Sequence, residues 1–316
     1  MTSGPGKIAA YVVGALILLS LPYGISSYGL RVLDLSLISA IAVIGLCFAF
    51  GYAGLLHLGQ AAFVGIGAYA SALLAARFGL GFWVTMPCAL VIAAIAAIIV
   101  GVPMLRLRGH YLALATVGLN VTTEIVAKNW ESVTGGEDGL SAIPTIGIGA
   151  FRFDSDLRFF YLMLAMLAIV IAIGLAIRHS RFGRAMIAVR DDELACGASG
   201  VFALRTKVLA FTIAAVFGAL SGALYAHYAN YISPSDFDFV HSIAYLVMLI
   251  VGGETSMIGA IGGAILIGFA PEMLRFVGEA YLAVFGIGVI VILVLMPEGI
   301  VGTLSRLWRS RVARHV

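Results

Sequence analysis

Two apolar runs that enclose a charged segment constrain this chain more than any other feature. Phe160–Ile177 and Val208–Tyr228 contain no Asp, Glu, Lys or Arg. Between them lies Arg178–Lys207, reading RHSRFGRAMIAVRDDELACGASGVFALRTK. That segment carries six Lys/Arg (Arg178, Arg181, Arg184, Arg190, Arg205, Lys207) and three acids (Asp191, Asp192, Glu193). About 20 residues at roughly 1.5 Å rise cross a hydrocarbon core about 30 Å thick. Each flanking run is long enough to do so, and the charged island is not.

The rest of the chain fits that frame. It is 62% hydrophobic and 11% charged, with a mean hydropathy of +1.08, against about 25% charge in an ordinary soluble domain. There is too little polar sequence for an added soluble domain, so 1–316 reads as a single transmembrane domain with 178–207 as a loop within it. The 38 glycines suit helices packed closely through small residues. The net charge of +3 is a topology signal rather than a nucleic-acid signal. Cys47, Cys88 and Cys196 are scattered without metal or disulfide spacing.

Apolar segments fall at 8–24, 33–51, 58–77, 83–104, 110–128, 158–177, 208–228, 240–252, 257–274 and 280–297. The fold class expected is therefore an all-α integral membrane protein of about ten transmembrane helices. The start, MTSGPGK before Ile8–Leu21, looks like the charged and apolar regions of a signal peptide. No small-residue cleavage site precedes Arg31, so an uncleaved first span is expected.

Lys/Arg bias sets the orientation. The island, the tail with Arg306, Arg309, Arg311 and Arg314, and the turn with Arg106 and Arg108 are basic and expected inside. The 129–157 stretch holds Glu131, Glu137, Asp138, Asp154 and Asp156 and is expected outside, as is the connection with Asp236 and Asp238. About ten spans satisfy these assignments with both termini cytoplasmic. An even number of crossings must separate island from tail, and four are available.

Two places break the helical pattern, GYAGLLHLG at Gly51–Gly59 and GGETSMIG at Gly252–Gly259. Broken, Gly-rich segments in matching positions of two halves point to a translocation pathway. They must line protein or water, because unpaired backbone in lipid is costly. Gly51, Gly54, Gly59, Gln60, Gly252 and Gly253 are pathway candidates on that ground, with Asn120 deeper in the fifth span. An ordinary cytoplasmic turn after a tilted helix explains the breaks equally well.

Within the island, Gly183 precedes an expected helix, Arg184–Ser199, which Gly200 can end in a left-handed cap. Ala185, Ala188, Val189, Asp192, Ala195 and Ser199 then share one small, shallow face suited to docking on another protein. A solvated loop whose arginines only enforce topology would have the same composition.

The order of motifs resembles one family. SRFGRAMIAVRDDELACGASGVFALRTKVLAF is similar to the ATPase-contacting loop of LivM-type permeases of branched-chain amino-acid ABC importers. Gly183, Arg184, Ala188, Val189, Arg190, Asp191, Asp192, Glu193, Ala195, Gly200, Lys207, Ala210 and Phe211 match its pattern. Cys196 and Asp192 stand where Ala and Asn are usual. GYAGLLHLGQAAFVGIGAY matches a second family motif, with His57 for the usual Ser and Gln60 for the usual His. LRLRGHYLALATVG matches a third motif. In the T-G-G-x-x-G loop, Thr134, Gly135, Gly136, Gly139 and Leu140 match. GGETSMIGAIGGA matches the last, with Thr255 for its third Gly.

The resemblance implies an importer permease fold with a cytoplasmic coupling helix between spans six and seven. It implies a second, LivH-like permease subunit, two cytoplasmic ATPase subunits and a periplasmic solute-binding protein, in a bacterial inner membrane. ATPase coupling would fall to Gly183, Arg184, Ala188, Arg190, Asp192, Glu193, Ala195 and Gly200. The chain has no G-x-x-x-x-G-K-S/T, so ATP and Mg would be bound by the partner subunits and no cofactor by this chain. Thr134, Gly135, Gly136 and Gly139, with Asp236 beside Tyr231, Phe237 and Phe239, would form a rim for the binding protein; an interfacial aromatic belt accounts for the same rings.

Other polar residues read more plainly. Glu124 and Lys128 sit i, i+4 and can pair. Glu272 and Glu279 fall near a span end, and Glu254 adjoins the second break. His57, His227 and His241 share no ligand spacing, so no metal site is expected. A secondary transporter driven by an ion gradient would need buried ionisable residues facing a pathway. The sequence spends its charges on the island instead. A membrane enzyme would need a nucleophile and base that the chain does not offer. Branched-chain amino acids are the family's usual solute, while urea, short amides and aromatic acids travel through similar permeases.

Overall fold

The computed structural model describes residues 24–107, 109–149 and 151–274, together with 22, 286, 287, 290, 291 and 299. The expected spans 8–24 and 280–297 lie largely outside the described residues, as do Arg108, Arg275, Glu279 and the basic tail.

The other eight apolar segments are helices. They are α1 (Ser27–Leu46), α2 (Gln60–Phe78), α3 (Phe82–Met104) and α4 (His110–Asn129), then α6 (Asp156–His179), α9 (Ala203–Ala229), α10 (Phe239–Gly252) and α11 (Met257–Met273). A short α5 (Glu131–Thr134) precedes α6, and α7 (Arg181–Asp191) and α8 (Glu193–Ala198) occupy the island. Strands β1 (Gly147–Ile148) and β2 (Phe151–Arg152) form a two-stranded antiparallel ribbon. Among the described residues, six helical segments are long and apolar enough to cross a membrane: 27–52, 60–78, 82–104, 156–179, 203–229 and 234–252.

Helix α1 is the axis of the bundle. Every residue from Ala40 to Ala49 is buried, and α9, α11 and α6 pack around α1. Small residues let the helices approach. In α3 the buried positions Thr85, Ala89, Ala93, Ala97 and Gly101 recur every fourth residue, a stripe laid against α9. The opposite side of α3 exposes Val84, Val91, Ile95, Ile98 and Ile99, as lipid-facing helix surface does.

The amide of Gln60, fully buried at the start of α2, ties three helices together. Its Nε2 donates to Ala42 O at 2.9 Å and Ala214 O at 3.0 Å. Chain reversals place the connections 53–59, 105–109, 180–202 and 253–256 at one end, the island end. The connections 79–81, 130–155 and 230–238 lie at the other, the loop end.

Candidate functional site

The island folds from local signals. Ser180 caps α7, its Oγ accepting from Phe182 N at 3.1 Å and Gly183 N at 3.4 Å. Gly183 therefore lies inside the first turn rather than ahead of the helix. A Cβ there would strike the Ile177 and Arg178 carbonyls, so glycine lets α7 fold back on the end of α6. The expected single helix Arg184–Ser199 is two helices. Asp192 adopts extended backbone (φ −156°, ψ 105°), ends α7 and caps α8. Its Oδ1 accepts from Leu194 N at 2.9 Å and Ala195 N at 3.0 Å, a competition with the helix that short acids favour. Gly200, at φ +80°, closes α8. Val201 N reaches Cys196 O at 3.0 Å and Gly200 N reaches Gly197 O at 3.2 Å, the two bonds of a Schellman cap.

The buried face of α7 is Gly183, Met186 and Val189, with Ala188 half-buried. The face left outside carries Arg184, Phe182, Ile187 and Asp191, continued by Leu194 and Ala195 on α8 and by Phe202. Leu194 is 79% exposed and Phe202 66%. The sequence pattern missed these apolar side chains because it followed the small residues. Arg184 donates to His179 O at 2.9 Å yet remains exposed. Glu193 pairs with Lys207 at 2.7 Å.

Arg190 is turned to the bundle. Its guanidinium donates to Gly51 O and reaches Glu254 Oε1 at 2.8 Å. One island side chain thus touches both helix breaks. The breaks also touch each other: Cys47 Sγ donates to Glu254 O at 3.1 Å and Tyr52 OH to Thr255 O at 3.1 Å. Cys47–Tyr52 is a π-helical turn continuing α1, a geometry that loosens the regular ladder and frees carbonyls. A Cβ on Gly51 would collide with Glu254 O, so this approach requires glycine. Gly54 lies against Arg190, Gly59 against the Thr116 carbonyl of α4, and Gly252 and Gly253 where α10 turns closely onto α11.

The remaining expected pathway residues are internal ties. Asn120 is fully buried. Its Nδ2 donates to Phe237 O at 3.3 Å and its Oδ1 accepts from Ser242 Oγ at 3.0 Å. Glu124 and Lys128 pair at 2.7 Å. Glu272 accepts from Tyr28 OH at 2.7 Å. Asp34 in α1 went unread, although an acid in an apolar run is visible in the sequence. It is fully buried and accepts from Tyr228 OH at 3.4 Å.

At the loop end the two acidic connections meet. Leu140 and Ile232 exchange backbone hydrogen bonds at 2.8 and 2.9 Å, and Tyr231 OH donates to Asp138 O at 3.0 Å. Thr134 Oγ1 donates to Ala127 O at 2.6 Å and accepts from Gly136 N at 3.3 Å, shaping the turn through Gly135 and Gly139. Asp236 Oδ2 accepts from Ser233 N at 2.8 Å in a capping box.

A bundle of apolar helices, with a folded charged island set against two helix breaks, defines a multi-span membrane protein. The chain belongs to the family described as the permease component of the branched-chain amino acid transport system, whose profile matches residues 28–295. It is 33% identical over 318 residues to the high-affinity branched-chain amino acid transport system permease protein LivM of Escherichia coli K12, covering 93% of this chain and 75% of that protein. It is 32% identical to LivM of Salmonella typhimurium, over 88% and 71% of the two chains. It is 25% identical to the permease protein LivH of the same organism, over 83% and 91%. No solved structure matches it.

Proposed function

We propose that this chain is one of two permease subunits of an ATP-driven importer for branched-chain amino acids. The whole chain forms one permease domain of about ten spans with both termini cytoplasmic, in a bacterial inner membrane. A LivH-like subunit supplies the other wall of the pathway, a reading supported by the chain's likeness to both LivM and LivH. Two cytoplasmic ATPase subunits bind ATP and Mg and grip the island. A periplasmic binding protein delivers solute to the loop end.

The observation that carries this reading is Arg190, the island side chain that reaches both Gly51 and Glu254. A load applied to α7 is passed directly to the turns that follow α1 and α10. Phe182, Arg184, Ile187, Leu194 and Ala195 face outward and are the surface offered to the ATPases. Arg190, Asp192 and Glu193 hold the island's shape and its link to the bundle, with Gly183, Ala188 and Gly200 setting its contour. Thr134, Gly135, Gly136 and Gly139 belong to the loop that meets the binding protein. Gly51, Gly54, Gly59, Gly252 and Gly253 shape the breaks that move, while Gln60 and Asn120 steady the helices between them.

The test is uptake of labelled leucine by proteoliposomes holding this chain with its copurifying partners. Uptake requiring ATP and binding protein is expected. Uptake by this chain alone under an ion gradient would sink the reading. ATP-driven uptake of urea, amides or aromatic acids without leucine would retain the importer and change the solute.

A further inference from the structure

The loop-end half of the bundle holds a cavity of about 240 Å³ among α1, α2, α9 and α10. Ordinary ligand pockets run from about 300 to 1,000 Å³ for drug-sized molecules, so this one suits a smaller solute. Its polar arc is Ser39, Tyr225, Asp236, His241 and Tyr245, and its apolar wall includes Ile38 and Val64. No Lys or Arg lines it among the described residues.

The arc is rich in acceptors. Ser233 N holds Asp236 Oδ2 at 2.8 Å, and the Tyr225 phenol interacts with the same carboxylate. An ionised carboxylate accepts about four hydrogen bonds, so capacity remains. The His241 ring is held by Asp238, with Nδ1 at 2.8 Å from Asp238 Oδ1. Two phenol rings add faces that attract cations. Asp236 brings a carboxylate to the arc, and a hydrogen bond to it is stronger from an ammonium than from an uncharged amide.

We propose that this cavity is a transit subsite for the ammonium group of the solute, with Asp236 as its counter-ion, Tyr225 and Tyr245 beside it, and the aliphatic side chain against Ile38 and Val64. This rests on the importer reading and narrows it: amino acids are favoured over urea, amides and aromatic acids. The solute carboxylate is then met from outside this arc. Asp236, expected from sequence at the docking rim, is assigned to the pathway instead.

Asp236→Asn separates charge from structure, because the Asn oxygen can still accept from Ser233 N. In the full complex, with ATP and binding protein, this change should cut the initial rate of leucine uptake by about tenfold or more. Capture of the binding protein by the same complex should stay intact. A second measurement does not depend on that variant. Ser39→Cys, in a Cys88→Ser background, should react with N-ethylmaleimide, and saturating leucine should slow that reaction at least about threefold.

Wild-type leucine uptake in Asp236→Asn would overturn the subsite. So would parallel loss of binding-protein capture, which assigns Asp236 to docking, or unchanged labelling of Ser39→Cys with leucine. A wild-type complex that moves urea but not leucine would overturn the solute reading itself, a failure seen before any variant is made.

Discussion

At the island end, the contacts that join distant segments run from side chains to carbonyls or to other side chains. Arg190 reaches Gly51 O and Glu254, and Cys47 and Tyr52 reach the 254–255 carbonyls. At the loop end, main-chain pairs are added to side-chain contacts such as Tyr231 OH to Asp138 O. Leu140 and Ile232 bond reciprocally, and Ile143 N donates to Asn230 O at 3.3 Å. The difference is mechanical. A reciprocal backbone pair fixes two strands of chain together, whereas a guanidinium can exchange one carbonyl or carboxylate for another at small cost. The end read as gripped by ATPases is the end whose joints can be remade.

Breaking that end at its tightest point should have the largest effect. Gly51→Val puts a branched side chain into Glu254 O, a backbone atom that cannot swing aside. Overpacking usually costs about 1–3 kcal/mol, and here the upper part of that range or more is expected. The measurement is the yield and melting temperature of the complex in detergent. A variant with wild-type yield and melting point would show that the two breaks are not in contact.

Arg190→Gln should come next, with a different signature. Arg190 and Glu254 are 35% and 42% exposed, and such pairs contribute about 0–1 kcal/mol, so melting should move little. Uptake should fall by about tenfold or more while ATP hydrolysis persists, because the link rather than the fold is cut. Pairing Arg190→Glu with Glu254→Arg should recover part of the loss. If Arg190→Gln moves leucine normally, the island is not coupled through this residue.

The contrast between the ends also separates what was legible in the sequence from what was not. Helix positions were legible because long apolar runs have few alternatives in a bilayer. The segment 110–128 coincides with α4, and 257–274 with α11. Gly200's cap was legible because its signal is local. The split at Asp192 was not, since the same residue types suit a helix surface and a cap, and only backbone geometry decides. The Arg190 link was invisible because its partners lie 139 and 64 residues away. The motif marked Arg190, and the aromatic cluster of the outer loop drew attention to Asp236, but the directions in which they point belong to the tertiary structure. Leu194 was passed over because an exposed apolar residue stands out only once its surroundings are known.

The smallest effect is expected at the loop end, where one side chain reinforces a joint the backbone already makes. Tyr231→Phe removes the hydroxyl that donates to Asp138 O at 3.0 Å and leaves the Leu140–Ile232 pair in place. Tyr231 is exposed, so water can satisfy the freed carbonyl, and the loss should be about 0.5–1 kcal/mol or less. Leucine uptake should stay within about twofold of wild type, because no joint has been opened. A tenfold fall in uptake without a change in melting would mean that the two loops move past each other during transport, and the mechanical difference between the ends would vanish.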